Sequence, residues 1–314
     1  MKILNQYNMK FTITDEMSKY FIGADQLKNQ EIKEVDYLVD QLIPRGTLCS
    51  LVGESDTGKS SLLRQLAVSV AYGDDTFIGF KLNENCRNVV YVSTEDNEMS
   101  TSAWLNKHLG EDITDNEVLS KLKFLFITEN LYDNIRKVVS ENCLDLLIID
   151  CYSDIFEGSM NDSNIVRSFL TKYNEPTNMY GVTIIFLHHT KKSSEGARPN
   201  KNSILGSQGF EAKMRSVMML TKDKDDNTLR HLCVVKNNYL PEKDKKYSHE
   251  LKFNENLSFE ATGKRVDFND LDNPEYMELA KELRNKGKSL RDIVDELNNK
   301  GFKVGKSTLQ RKLK

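Results

Sequence analysis

Apolar residues in the first two thirds of the chain fall into short, nearly continuous runs that end in polar or chargeable residues. Residues 46–52, 88–96, 122–127, 144–150 and 181–187 are such runs, each with the length and apolar density of a buried strand. Between them, residues 61–68, 131–140 and 165–173 carry apolar positions three and four apart, the spacing of a helix with one buried face. Strands alternating with helices from 46 to 190 predict an α/β fold, a mainly parallel sheet flanked by helices on both faces. Farther on the pattern changes. Gly206 to Met214 reads as a short helix, and 215–221 and 229–236 as two strands joined by a turn at 223–227. Strand-rich sequence continues to Phe259.

The two ends read differently. Residues 1–30 are polar and without a period, and are expected to form an arm or lead-in ahead of a domain spanning 31–265. The stretch 261–273 also lacks an apolar period and is read as containing a linker, 266–273. From Pro274 three short helical patterns follow. Met277, Leu279, Ala280 and Leu283 line the first, Ser289 is the expected N-cap of a second from Leu290 to Leu297, and Ser307 of a third ending at Leu313. Residues 274–314 are therefore expected to form a small all-α helix-turn-helix domain.

Candidate chemistry sits where the strands end. Gly53-Glu54-Ser55-Asp56-Thr57-Gly58-Lys59-Ser60 joins the first strand to the first helix and fits the phosphate-binding P-loop pattern. Its glycines let backbone wrap phosphate oxygens, and the loop N–H groups and helix N-terminus, where Ser61 follows, favour negative charge. Lys59 is then expected at the β- and γ-phosphates and the Ser60 hydroxyl on Mg²⁺, so ATP with Mg²⁺ is the expected ligand pair. Ser93-Thr94-Glu95-Asp96 places two carboxylates at a strand's carboxyl end, where open α/β sheets gather ligands, and both are expected to face the nucleotide. Asp150 ends an apolar strand in the Walker B manner, as a Mg²⁺ holder. At the next tip, His188 and His189 are candidate sensors of a γ-phosphate or metal-bound water, against a structural role. Cys151 follows Asp150 where AAA+ ATPases have a Glu, so a hydrolase here needs its base elsewhere; Glu95 is the obvious supply.

Net charge is −3, but it is unevenly placed. From Arg284 onward ten basic residues face three acidic ones, a basic tail on an acidic body, which hints at nucleic acid. Lys303, Lys306 and Arg311 on or beside the last helix are the candidate groove-reading cations, with oligomerisation or anchoring as the alternative role for this tail. Residues 191–203 are rich in loop formers and carry Lys191, Lys192, Arg198 and Lys201; they read as a mobile basic loop that tracks DNA, or else as a merely solvated one. No apolar run approaches a membrane span, and the first residues give no secretory signal. The five cysteines are scattered without metal-ligand spacing, which suits a reduced, cytoplasmic protein.

Taken in order, Gly53–Ser60, Ser93–Asp96, Leu147–Asp150, Phe186–Thr190, Gly206-Ser207, Arg215 and Val235-Lys236-Asn237-Asn238-Tyr239 resemble the RepA-type hexameric replicative helicases of plasmids and mobile elements, over roughly residues 35 to 260. The resemblance implies a RecA-like fold, a homo-hexamer acting on single-stranded DNA, Glu95 as general base and His188 or His189 as γ-phosphate sensor. It implies Arg215 as an arginine finger reaching a neighbouring subunit's site, with Lys236 as a second cation there. The alternative reading is a site-specific DNA-binding regulator that ATP only switches.

Overall fold

The computed structural model describes residues 21–32, 34–110, 116–126, 129–141, 143–269, 271, 276–302 and 304–313. Residues 1–20 of the expected arm, Ile127, positions 270 and 272–275, and Lys303 lie outside the described residues, as does the Arg311 side chain. The chain divides into two units, Met1–Asp36 and Tyr37–Lys314. In the first, helix α1 (Ala24–Asn29) is exposed throughout, and the Gly23 N–H donates to Gln26 Oε1 at 3.0 Å at its start.

The second unit opens with the antiparallel pair β1 (Tyr37–Val39) and β2 (Ile43–Pro44), then β3 (Leu48–Gly53) and α2 (Lys59–Tyr72). A small hairpin, β4 (Thr76–Phe77) and β5 (Phe80–Lys81), precedes β6 (Val89–Ser93), α3 (Glu98–Leu109), α4 (Asn116–Leu119) and β7 (Leu122–Leu125). Next come α5 (Leu131–Glu141), β8 (Leu146–Asp150), α6 (Tyr152–Ile155), α7 (Ser163–Lys172), α8 (Asn174–Tyr180) and β9 (Thr183–His189). Helix α9 (Gln208–Lys213) leads to β10 (Ser216–Lys222), β11 (Leu229–Asn237), β12 (Tyr247–Phe253) and β13 (Phe259–Asp267). Helices α10 (Tyr276–Asn285), α11 (Leu290–Asn299) and α12 (Lys306–Lys312) follow.

Among the described residues nine strands form one sheet in the order β13-β12-β11-β10-β3-β9-β8-β6-β7. The strands from β10 to β7 run parallel, and β11 to β13 extend the β10 edge antiparallel. Strand period two sorts the core onto both faces. Cys49 and Leu51 of β3 pack with Leu62 and Leu66 of α2, while Leu48 and Val52 pack with Ile135 of α5 and Val166 of α7. Each such side chain, fully buried, contributes about 1.5–3 kcal/mol. Burial on both faces is why these strands read as continuous apolar runs.

Some elements depart from expectation. Helix α2 is longer at both ends, starting after Gly58 and stopping where Gly73, at φ 72°, turns its N–H back to Ser69 O and Val70 O. Helix α3 carries no clear period because Thr101 and Trp104 are its buried residues and the rest is polar; Asn97 Oδ1 caps it by accepting from the Ser100 N–H. Helix α8 is a further addition to the expected elements. The stretch read as linker continues as β13 through Asp267, paired with β12. As an edge strand exposed from Glu260 to Arg265 it has no buried face, hence no apolar alternation. Gly305, not Ser307, occupies the N-cap of α12.

Helices α10 to α12 gather their own apolar cluster from Ala280, Leu283, Ile293, Leu297, Val304 and Leu309. Ser289 caps α11, its Oγ accepting from the Asp292 N–H while Asp292 Oδ2 accepts from the Ser289 N–H. Among the described residues no helix is long and apolar enough to cross a membrane.

Candidate nucleotide site

The turn between β3 and α2 is built around two glycines. A Cβ on Gly53 would lie 2.4 Å from Leu220 O; one on Gly58, at φ 91°, would lie 2.8 Å from the Phe259 ring. Inside the loop the Thr57 hydroxyl donates to Glu54 O at 3.1 Å and Lys59 Nζ donates to the same carbonyl at 2.6 Å. Thr57 and Lys59 are both buried. Burial pulls the Lys59 ammonium below its usual range, opposed by the charges of Asp150 and Glu95. A cationic side chain is thus held over a cradle of N–H groups at a helix start.

The loop is braced from the antiparallel strands, which no local pattern connects to it. Arg230 Nε donates to Thr57 O at 3.0 Å, and the Arg230 guanidinium lies over Phe253, 5.5 Å from the ring centre. Gln65 of α2 closes a two-way hydrogen bond with the Phe259 backbone, accepting at 2.7 Å and donating at 3.0 Å. Phe253 stacks on Phe259 at 4.5 Å. A partner so distant in sequence leaves no local signal in the P-loop itself.

Strand pairing sets Ser93 of β6 opposite Asp150 of β8, so both tips open beside the P-loop. Thr94 ties them, its N–H donating to Asp150 O at 2.7 Å and its hydroxyl accepting from the Cys151 N–H at 2.9 Å. Asp150 is buried; Tyr91 Oη donates to its Oδ2 at 2.6 Å, and the Ser60 hydroxyl also bonds the carboxylate. Its Oδ1 is buried without a hydrogen-bond partner. An orphaned carboxylate oxygen beside the Ser60 hydroxyl fits a hard divalent cation such as Mg²⁺, which those two residues would hold against the phosphates. Burial raises the Asp150 carboxyl above its usual range, a penalty that a bound cation would offset.

The two carboxylates at the β6 tip part company. Asp96 turns to the buried Arg64 guanidinium of α2, which also lies 5.7 Å from the ring centres of Tyr91 and Trp104. Only Glu95 is left facing the nucleotide side, contrary to the expectation for both. Desolvation, then the negative charges of Asp150 and Asp154, hold the Glu95 carboxyl above the usual carboxylate range. A carboxylate raised in this way is a better proton acceptor at neutral pH than an ordinary one.

The adjacent histidines separate by the same alternation. His188 is fully buried, its Nε2 3.0 Å from Leu205 O and its ring between Tyr152 and Phe210, at 4.9 and 4.7 Å. Burial pushes its pKa down to about 4, so it stays neutral. It does not reach the group at the strand tips. His189 does, with ring nitrogen, Glu95 carboxylate and Cys151 thiol within 4.8 Å of one another.

Arg215 and Lys236 lie elsewhere. The Arg215 N–H donates to Leu48 O, so Arg215 sits at the start of β3 while the P-loop leaves its end. Its exposed side chain makes no ion pair or hydrogen bond among the described residues and lines a depression with Thr47, Arg167, Lys213 and Tyr239. Lys236 is held by Glu211, 3.0 Å from its carboxylate and donating 2.7 Å to its carbonyl. Neither belongs to the P-loop site of its own chain.

The basic loop is more structured than its composition suggests. It carries 3₁₀ turns at Lys192–Ser194 and Lys201–Ser203 and closes with a bridge from Thr190 to Ile204. Glu54 of the P-loop accepts from the Gly196 N–H at 2.9 Å, tying loop to loop. Lys191 Nζ donates to Asn202 O, and Lys201 stands 3.7 Å from Glu211, while Lys192 and Arg198 are exposed. Lys306 is exposed at the start of α12.

Comparison with known proteins agrees with this geometry. No curated protein matches the sequence. A solved structure titled as an ATPase domain superposes with a TM-score of 0.58 at 12% identity, covering 79% of this chain and 99% of that one, a likeness of RecA-like fold. The AAA domain profile matches residues 18–195, more than half of the chain, and its span includes the P-loop, Glu95, Asp150 and His189. With Cys151 rather than Glu after the Walker B carboxylate, the chain nonetheless belongs to the AAA domain family of P-loop proteins.

Proposed function

We propose that this protein is an ATP-hydrolysing motor acting on DNA, assembled as a ring, and of the replicative-helicase kind carried by plasmids, phages or other mobile elements. The observation that carries the ATPase part is the convergence of Lys59, Ser60, Asp150 and Glu95 at the carboxyl ends of β3, β6 and β8. In this reading residues 53–61 wrap ATP, Ser60 and Asp150 hold Mg²⁺, Glu95 takes a proton from the attacking water and His189 reports on the γ-phosphate. The position of His188 in the core argues for a structural role instead. Arg215 and Lys236 serve the neighbouring subunit's site, the hexamer geometry being taken from the resemblance alone.

The DNA part rests on the basic loop and the basic helical tail. Lys191, Lys192, Arg198 and Lys201 face single-stranded DNA in the ring channel, and the helix-turn-helix, with Lys303, Lys306 and Arg311, faces duplex. Residues 31–267 then form the motor core and 274–314 the DNA-binding unit of a cytoplasmic protein. Replacing Lys192 and Lys201 together by Ala is expected to weaken single-strand binding and to flatten its dependence on log salt, by about 0.7 for each phosphate that the loop ceases to neutralise. Fluorescence anisotropy across a salt series reads both; an unchanged slope removes the loop from the channel.

The separate apolar cluster of α10 to α12 favours a second reading, a nucleotide-switched regulator that recognises a DNA sequence. Steady-state ATP hydrolysis with and without single-stranded DNA, with Lys59→Ala as the blank, decides between them. Strong stimulation by single strands is expected for the motor. Slow, DNA-indifferent turnover above that blank would give the regulator the better claim, and no turnover would end the ATPase reading.

A further inference from the structure

Cys151 follows Asp150 directly and is fully buried as a residue, yet its sulfur lies against the reactive side of the sheet. Glu95 Oε1 is 3.7 Å from its Sγ, and Ser153 Oγ is 2.9 Å away. His189, at the tip of β9, makes no side-chain hydrogen bond among the described residues and completes a carboxylate–thiol–imidazole group whose ligand atoms lie within 4.8 Å of one another. ATP hydrolysis with Mg²⁺ has no use for a thiol at this place. Magnesium takes oxygen ligands, and Ser60 with Asp150 supply them separately.

We propose that Glu95, Cys151 and His189 form a site for a thiophilic divalent metal ion, Zn²⁺ by its ligand set, that blocks the hydrolytic centre. In a tetrahedral zinc site neighbouring ligand atoms are roughly 3.5 Å apart, given metal–sulfur and metal–nitrogen bonds of about 2.3 and 2.0 Å. The present sulfur–oxygen separation of 3.7 Å already meets that spacing, and side-chain rotation of His189 covers the rest. Sulfur, nitrogen and oxygen donors together select zinc over magnesium. Three protein ligands leave a fourth position open to water or phosphate.

The electrostatics suit the exchange. Burial, aided by the Lys59 charge, keeps His189 neutral, so a ring lone pair is available. The Cys151 thiol is protonated, pushed up to about 11 by burial, so binding breaks S–H, forms S–metal and releases one proton to solvent. No oxidant is needed. With the metal on Glu95, that carboxylate can no longer receive a proton from water, and turnover stops.

The test titrates the full-length protein with Co²⁺ alone, without nucleotide, in a Cys143→Ser background that removes the exposed thiol. A near-ultraviolet thiolate-to-cobalt band is expected, lost in Cys151→Ser. Affinity should fall at least about tenfold in His189→Gln, since even changes outside the ligand set cost that much. Circular dichroism establishes folding; should Cys151→Ser not fold, His189→Gln alone carries the decision. Absence of the band, its persistence in a folded Cys151→Ser, or unchanged affinity in His189→Gln overturns the site. Zn²⁺ should inhibit turnover reversibly by chelator, with a half-inhibiting concentration at least about tenfold higher in Cys151→Ser. That last step rests on the ATPase reading. Cobalt bound to a protein that turns over no ATP would sink that reading and leave the metal site standing.

Discussion

Glu95→Gln should bind ATP as the wild type does and lose turnover by about 10² to 10⁴-fold, the usual worth of a positioned general base. The amide keeps the size of the side chain and its contact with Cys151, so binding by the P-loop residues, which do not touch it, is preserved. The pH profile adds a readout that a merely structural residue would not move. The base must be ionised, and its neighbours hold its pKa above the usual carboxylate value. Wild-type turnover should therefore fall as pH drops through that raised value, while the residual activity of Glu95→Gln should show no such acid limb. Equilibrium binding of a fluorescent ATP analogue and steady-state kinetics across the acidic to neutral range separate the effects. Turnover left intact in the variant would move the base to another residue.

Arg215→Ala is expected to lose about 10³-fold or more in hydrolysis, the scale on which an arginine supplied across an interface stabilises phosphoryl-transfer charge. Its place at the start of β3, remote from its own P-loop, makes a contribution in cis the poorer explanation. Complementation tests the geometry directly. Arg215→Ala subunits retain Glu95, and Glu95→Gln subunits retain Arg215. In a random equal mixture about a quarter of head-to-tail interfaces unite the two intact residues. Activity of the mixture should therefore exceed that of either variant alone. No recovery, with mixed assembly established by native mass spectrometry, would argue that Arg215 acts otherwise or not at all.

Local pattern by itself determined the parallel part of the sheet and the P-loop. A doubly buried strand is apolar at almost every position, as in Leu146–Ile149, and a phosphate cradle needs Gly58 at positive φ just before a helix, so both leave their requirements in adjacent residues. Alternation along β9 also implies that His188 and His189 point to opposite faces. Which of them meets the strand-tip group depended on the face that α2 covers, a tertiary fact. The same holds for the carboxylates. Arg64 lies on α2, thirty-two positions from Asp96, and only packing brings its charge there, leaving Glu95 alone toward the nucleotide. Sequence spacing was silent on β13 because an edge strand exposed on both sides has no buried face to impose a period. It was silent too on the bracing of the P-loop by Arg230 and Phe259, because contacts between residues far apart in the chain are decided by the folded packing and leave no mark on either neighbourhood.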